Sequence, residues 1–438
     1  MTEVSIFGII WCLLIVFFFA RNNIKYLIFL SIISFVFQSN YVFAIGCFTL
    51  NASVITCSAL IVKYFITNQL NLRSNTVLNY GYLYAFYMII ISIVSPILFN
   101  GLEINSMSNI DYDHGIIRTF NLDLSVHNLT QPFSVLLYVL TATVIFNCRK
   151  KLSYYEIVTV FKVTYWMVLC IGVVHVVGMY LCETMLTLKE LTHNEYHILG
   201  ATYFDSYLNE NTCFARLMST FYEPSYCGAY FAMCFFYFLN AKELKNRYLY
   251  LISCTLGLML NMSSTGLITS LFLLFISIVI YKQNFLICFV KKRVEIIVFC
   301  IICIILILIT SSEVRDLLFL MTIDKINSGS FEVRSIVNKF SWDVFKNSYG
   351  IGVGVNSLQV YSLPYALLSQ IGIFGTLIYM RFIIVIYNKL NYNFNTHFLA
   401  KCCISGSIIA SILSCSELNL CLFWMSLFYM MATFKINA

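Results

Sequence analysis

Residues 216–230 read RLMSTFYEPSYCGAY. An arginine, a glutamate and a helix-starting proline precede an apolar run, and the side of a membrane that this cluster faces decides how the rest of the chain is read. Proline loses nothing at the first position of a helix, where an N–H has no intrahelical acceptor, so Pro224 predicts a helix through Tyr230 to Asn240. Glu223 then lies at the positive end of the helix dipole, which keeps a carboxylate ionised and available to Arg216 or to a polar substrate. From these residues alone, a plain helix cap explains Glu223 equally well.

Composition fixes the class. With 60% hydrophobic and 11% charged residues and a mean hydropathy of +0.83, the chain is excluded from the soluble globular class, whose charged fraction is about 25%. Seventeen cysteines would suggest a disulfide scaffold in a small secreted domain, but most lie in apolar runs, as Cys300, Cys303, Cys402 and Cys403 do. There they act as small hydrophobes. No CxxC pair at zinc spacing and no His/Cys cluster appears, so no metal site is expected.

Apolar runs long enough to cross about 30 Å of hydrocarbon fall at 4–20, 24–38, 41–63, 80–99, 132–147, 158–181, 225–240, 247–262, 266–281, 294–311, 364–387, 402–415 and 418–434. The expectation is an all-α polytopic membrane bundle of about 13 helices (range 11–14), a single transmembrane domain over 1–438. The first run does not read as a cleaved signal peptide, because Glu3 stands where a positive region belongs and Arg21 and Lys25 follow it. Basic residues such as Arg149, Lys150, Lys151, Lys291, Lys292 and Arg293 gather at alternate ends of these runs. By the positive-inside rule those ends are cytoplasmic, the N-terminus is outside and the C-terminus inside. The outer face is then net acidic.

This topology sends three long loops to the outer face, at about 100–131, 182–224 and 312–363. Pro132, Pro224 and Pro364 stand where they re-enter, as residues that start helices. The second and third loops hold Lys189, Arg216, Arg315, Lys325, Arg334, Lys339 and Lys346. On a face that is net acidic, these arginines read as placed rather than scattered.

The remaining motifs carry less. GIGVG at 350–354 lacks a preceding strand and reads as a flexible turn rather than a dinucleotide loop. His175 in the sixth span invites a proton relay, but no carboxylate in a neighbouring span partners it, and a packed histidine is the simpler reading. His193 and His197 share a helical spacing without the glutamate of a zinc motif, which favours a structural or surface role. SSTG at 263–266 is either a tight turn between spans or a polar lining beside the site.

Taken in order, Arg216, Phe221, Glu223, Pro224, Ser225, Gly228 and Tyr230, then Ser263, Thr265 and Gly266, then Arg334, then Gly352, Gly354, Asn356 and Ser357, then Gly372, Ile373 and Gly375 resemble the bacterial O-antigen polymerase and ligase superfamily. The resemblance covers about 210–380. One departure favours polymerase over ligase. Ligases of this superfamily typically show a histidine in the second large loop, and 312–363 has none.

The resemblance implies a membrane glycosyltransferase of GT-C-like architecture in the bacterial inner membrane, with its active site facing the periplasm. Its donor and acceptor are polyprenyl-diphosphate-linked oligosaccharides, its surroundings membrane lipid, and a chain-length regulator protein its further partner. No cofactor, metal or nucleic acid is implied. The alternatives are an O-antigen ligase or other lipid-linked sugar transferase, then a flippase for the same lipid, although no internal repeat of the transporter kind is found. A purely structural protein would not need the basic loops.

A diphosphate leaving group gathers negative charge as the glycosidic bond breaks, so arginines that fork onto phosphate oxygens stabilise the transition state. Arg216 and Arg334 are assigned that role, and Glu223 that of receiving the acceptor's proton or orienting the sugar. Ser225, Tyr230, Thr265, Asn356 and Lys339 are expected to bind substrate. The competing role for Arg334 is an ion pair with a loop carboxylate such as Glu332 or Asp343. Reporter fusions at positions 120, 205 and 340 are expected to read outside the cell, and fusions at 150, 245 and 292 inside. Opposite faces for 205 and 340 would rule out a site shared by the two loops.

Overall fold

The computed structural model describes residues 2–38, 40–45, 48–68, 72–111, 116–181, 204–208, 212–241, 244–280, 329–391, 394–414, 418 and 420–434. Strand β1 (Thr2–Val4) leads into helices α1 (Ile6–Ala20) and α2 (Lys25–Ser34), then β2 (Tyr41–Ile45), β3 (Phe48–Asn51), α3 (Ala52–Asn68) and α4 (Thr76–Leu98). A hairpin of β4 (Glu103–Asp111) and β5 (Ile116–Asn121) is followed by α5 (His127–Cys148) and α6 (Tyr154–Leu181). A second hairpin, β6 (Phe204–Leu208) and β7 (Thr212–Ala215), precedes α7 (Pro224–Asn240), α8 (Arg247–Asn261) and α9 (Ser264–Ile280). The chain continues with α10 (Gly329–Asn347), α11 (Leu363–Ala366), α12 (Gly372–Asn391), α13 (Phe394–Leu413) and α14 (Cys421–Thr433).

The protein is a mostly helical integral membrane protein. Among the described residues, four helical stretches are long and apolar enough to cross a membrane: Thr76–Leu98, His127–Lys151, Tyr154–Val174 and Leu363–Leu390. They carry the expected spans 80–99, 132–147, 158–181 and 364–387. Shorter apolar helices such as Ile6–Ala20, Ala52–Thr67 and Phe398–Leu413 accompany them. The expected span 294–311 lies outside the described residues, as do Lys189, His193, His197, Arg315 and Lys325. His175 lies within α6.

The all-α expectation needs correction at three places. The run 41–63 divides into β2, β3 and α3, and β2 pairs antiparallel with both β1 and β3. Aromatic and β-branched residues on either side of Gly46 favour pleated chain, and pairing gives its backbone groups partners. The expected outer loops 100–131 and 182–224 each hold an antiparallel hairpin. The third, 312–363, contains α10, whose Val333, Val337, Ser341 and Val344 recur at helical spacing and are buried.

The prolines behave differently from one another. Pro224 opens α7 as expected, and Pro364 stands in the first turn of α11. Pro132 instead lies inside α5, which starts at His127. There Asn128 Oδ1 accepts from Ser125 N at 2.9 Å and from Ser125 Oγ at 2.8 Å, and this fold-back starts the helix before the proline.

Helix α7 is the buried axis of one half of the molecule, packed by α8, α9 and α13, while α4 packs against α5 and α12 in the other. Every α7 residue from Ser225 to Cys234 is buried. A helix apolar on all sides requires that. Helices α7 and α9 approach each other closely. A Cβ added to Gly266 would lie 2.9 Å from Gly228 Cα, and one added to Gly228 would lie 3.1 Å from Gly266 Cα. Small residues facing each other let two backbones come this close. Gly266→Ala is therefore expected to cost about 1–3 kcal/mol of stability as an overpacked crossing, read as a lower thermal midpoint in detergent. Phe272→Ala, on the exposed face of α9, should leave the midpoint near wild type. An unshifted Gly266→Ala would mean that the crossing has slack.

Candidate functional site

The approach to Pro224 is pinned on several sides. Leu217 N donates to Leu260 O at 2.9 Å, and Asn261 Nδ2 donates to Leu217 O at 2.6 Å and to Pro224 O at 2.8 Å. Ser219 Oγ donates to Val168 O and Thr220 Oγ1 to Val36 O, each at 2.6 Å. Half-buried Arg216 donates through Nη2 to Met262 O at 3.1 Å and through Nε to Asn261 O at 3.4 Å. These carbonyls are the free C-terminal groups of α8, where a cation is favoured. Met262, with φ 46°, turns the chain sharply from α8 into α9. The tight turn is at Met262 and Ser263, while Ser264, Thr265 and Gly266 open α9 and the first two line the cavity that α9 shares with α10.

Glu223 is half-buried and occupies the N-cap position of α7 in extended backbone, but its side chain caps nothing. Its Oε2 instead accepts from Ser225 Oγ at 2.9 Å. None of the described ion pairs joins it to Arg216. Tyr230, one of the expected substrate contacts, is fully buried and packs its ring 5.5 Å from that of Phe221.

The GIGVG turn is not flexible but fixed. Val353 N donates to Ser369 O and Gly354 N to Gln370 O, each at 2.9 Å, and Ile373 N donates to Gly350 O at 3.0 Å. Gly352 has φ +89°, and a Cβ there would lie 2.6 Å from Gly372 N. Only glycine fits that approach. Next to it, Asn356 donates from Nδ2 to His127 O at 3.2 Å and accepts from Gln131 Nε2 at 3.3 Å, tying the loop to α5. The turn meets the membrane helix where Leu367–Ile371 widens into a π-turn and Gly372 takes φ 68°. It thereby sets where Tyr361 and Pro364 lie against α10.

Between α9, α10 and the 361–368 segment lies a cavity of about 1240 Å³. Its wall on α7, α9 and α11 is mostly apolar, with Phe235, Phe236, Leu267, Ile268 and Leu271, and Ser264 and Thr265 stand where α9 begins. The facing wall is one stripe of α10: Phe331, Arg334, Ser335, Asn338, Lys339 and Trp342. Arg334 is half-buried, with Cζ 5.4 Å from the centroid of the Tyr361 ring. Asn338 Oδ1 accepts from Tyr361 N at 3.3 Å, which holds that ring in place. The competing ion pair does not form: Asp343 is taken by Lys346 at 2.7 Å, and no described ion pair joins Arg334 to Glu332. Among the described residues, no carboxylate pairs with either cavity cation. A half-open cavity with one apolar wall and one cationic stripe suits an amphipathic anion.

Of the expected site residues, Arg334, Lys339 and Thr265 line this cavity. Thr265 Oγ1 is within 2.8 Å of Ser414 Oγ. Arg216, Glu223 and Ser225 are not on its lining but at the neighbouring α7–α9 crossing. Helix α7 leaves that end of the bundle, α8 returns to it and α9 leaves again, so Glu223 and Thr265 share one end. Ser362 Oγ donates to Ile412 O at 2.8 Å, bringing the α10 side of the cavity to the same end. Asn356 is exposed beside α5 and Tyr230 lies in the core, so neither lines the cavity. Ser335, Asn338 and Trp342 line it without having been expected. Their spacing of three and four residues within 331–342 is the signal that a loop reading of 312–363 hides.

Residues 249–380 match the family model described as O-antigen ligase. The matched stretch runs from within α8 to within α12 and so contains the SSTG stretch at the start of α9, α10 and the GIGVG turn. It supports the O-antigen polymerase and ligase superfamily, whose members are membrane glycosyltransferases and ligases. No curated protein matches the chain.

The two arginines are expected to differ in what they hold together. Arg216→Ala removes a charged donor from carbonyl groups and should cost about 1.5–3 kcal/mol. Arg334→Ala removes a single cation–π contact of about 0.5–1 kcal/mol. Thermal unfolding of the purified variants checks this, and equal losses would contradict it.

Proposed function

We propose that this chain polymerises polyprenyl-diphosphate-linked oligosaccharide repeats into O-antigen or a related surface polysaccharide. It does so as a multi-pass protein of the bacterial inner membrane, with about thirteen crossings and its cavity open to the periplasm. The observation that carries the reading is the cavity, where Arg334 and Lys339 face an apolar wall and no carboxylate among the described residues pairs with them. A lipid-linked diphosphate has the matching chemistry, an anionic head on an apolar chain.

In the proposed reaction a hydroxyl oxygen of the acceptor repeat attacks the anomeric carbon of the donor chain. The new C–O bond forms as the bond to diphosphate breaks, and polyprenyl diphosphate leaves with the bonding electrons. Arg334 and Lys339 take up the charge that develops on the phosphate oxygens. The hydroxyl proton passes to the Glu223 carboxylate, held toward the shared end of α7 and α9 by Ser225. Arg216 acts in this scheme by fixing the α8–α9 turn against Glu223's segment. A chain-length regulator is the proposed protein partner.

A second reading, transfer of the finished chain to another lipid as a ligase, is favoured by the description of the matched family. Against it stands the absence of histidine from 312–363. Purified protein supplied with lipid-linked repeat alone separates the two: a polymerase builds a ladder, and a ligase leaves single repeats. In the same assay Arg334→Lys should fail nearly as fully as Arg334→Ala, because lysine cannot fork onto two phosphate oxygens. Glu223→Gln should lower turnover about 10²–10⁴-fold. Full activity in Arg334→Ala, at matched amounts of folded protein, would remove the cavity from the reaction.

A further inference from the structure

Trp342 is out of place for a tryptophan of this chain. Trp11 and Trp424 are 3% and 0% exposed, and Trp166 packs on Tyr250 with ring centroids 5.7 Å apart. Trp342 is 41% exposed and its ring borders the cavity. Its orientation is fixed from behind by Phe345, whose ring lies 5.1 Å away and tilted by 32°. Phe345 in turn abuts the fixed turn at Gly350. An indole held rigid from one side and open on the other presents a flat, electron-rich face.

Beside it stand two polar uncharged groups, with Lys339 three residues before it on the same wall. Asn338 is one turn before Trp342 on the same face of α10, and Ser335 is one turn before that. Asn338 accepts at Oδ1 from Tyr361 N, so its Nδ2 donors are not used in that bond, and Ser335 is exposed on the cavity wall. Arg334 lies eight residues before Trp342 in the sequence, a separation of about 12 Å along the axis at 1.5 Å per residue. That leaves room for a sugar ring between phosphates held at Arg334 and the indole.

We infer that Trp342, with Asn338 and Ser335, forms a saccharide subsite, in which the C–H face of a pyranose stacks on the indole and its hydroxyl edge bonds the amide and the serine. This rests on the proposed function and deepens it. The cavity then reads the sugar as well as the diphosphate, and Trp342 has a task separate from that of Arg334 and Lys339. A membrane-interface anchor is the competing role for an exposed tryptophan, and it predicts no dependence on the sugar.

The test compares two probes with the full-length protein in detergent: bare polyprenyl diphosphate, and the lipid-linked repeat extracted from cells that lack this protein. Wild type should bind the lipid-linked repeat about tenfold more tightly than the bare lipid, a difference of about 1.4 kcal/mol. Trp342→Ala should abolish that difference while binding bare lipid as wild type does, which also shows that it is folded, and Trp342→Phe should keep most of it. Equal affinity of wild type for both probes, or an equal loss for both in Trp342→Ala, would overturn the subsite. Failure of wild type to bind either probe, or binding unaffected by Arg334→Ala, would instead overturn the proposed function.

Discussion

The close crossing of Gly228 and Gly266 is the constraint on which the candidate site depends. Two helix backbones can touch only where neither carries a side chain, and here the contact brings the entry of α7 against the turn between α8 and α9. Asn261 exploits the contact, donating to Leu217 O and Pro224 O across it. Arg216 closes the same junction by donating to the carbonyls that end α8. Glu223 is thus placed by its neighbours' backbone bonds rather than by an ionic partner of its own. A hydrogen-bonded backbone holds position better than two long charged side chains, whose pairing at a wet surface contributes little.

The cavity follows a different logic. Half-burying a guanidinium without a carboxylate costs solvation, and the face of Tyr361 offsets part of that cost without neutralising the charge. A carboxylate in the same place would make α10 more stable and its cation useless to an anion. Asp343, the nearby candidate, is occupied by Lys346 instead. On the opposite side the apolar wall of α9 keeps the local dielectric low, so each charge acts more strongly on a ligand than it would in water.

The fixed turn at 350–354 links the two halves. Its three glycines at positive φ let the chain lie directly against the 369–373 backbone. Buried irregular backbone of this kind needs its polar groups satisfied by protein. Asn356 and Ser357, bonded to α5 through His127 O and Asn128, complete that satisfaction. The motif that resembled part of a substrate loop is, in its own contacts, the support that aims Tyr361 and α10 at the cavity.

How much of this was legible in the sequence depends on whether the signal was local. Membrane class came from composition, the start of α7 from Pro224, and the four long spans from apolar run length, because each rests on the transfer of nearby residues out of water. The hairpins in the outer loops and the division of 41–63 into strands were not legible. Strand pairing is decided by partners far along the chain, as β2 with β1. Helix α10 was concealed because its apolar spacing is mixed with charge. Likewise Glu223, Arg334 and Lys339 could be named as chemistry from their types and loops, but which of them share a cavity could not. That was decided by the glycine crossing and the 350–354 turn, since only packing in three dimensions determines which side chains meet.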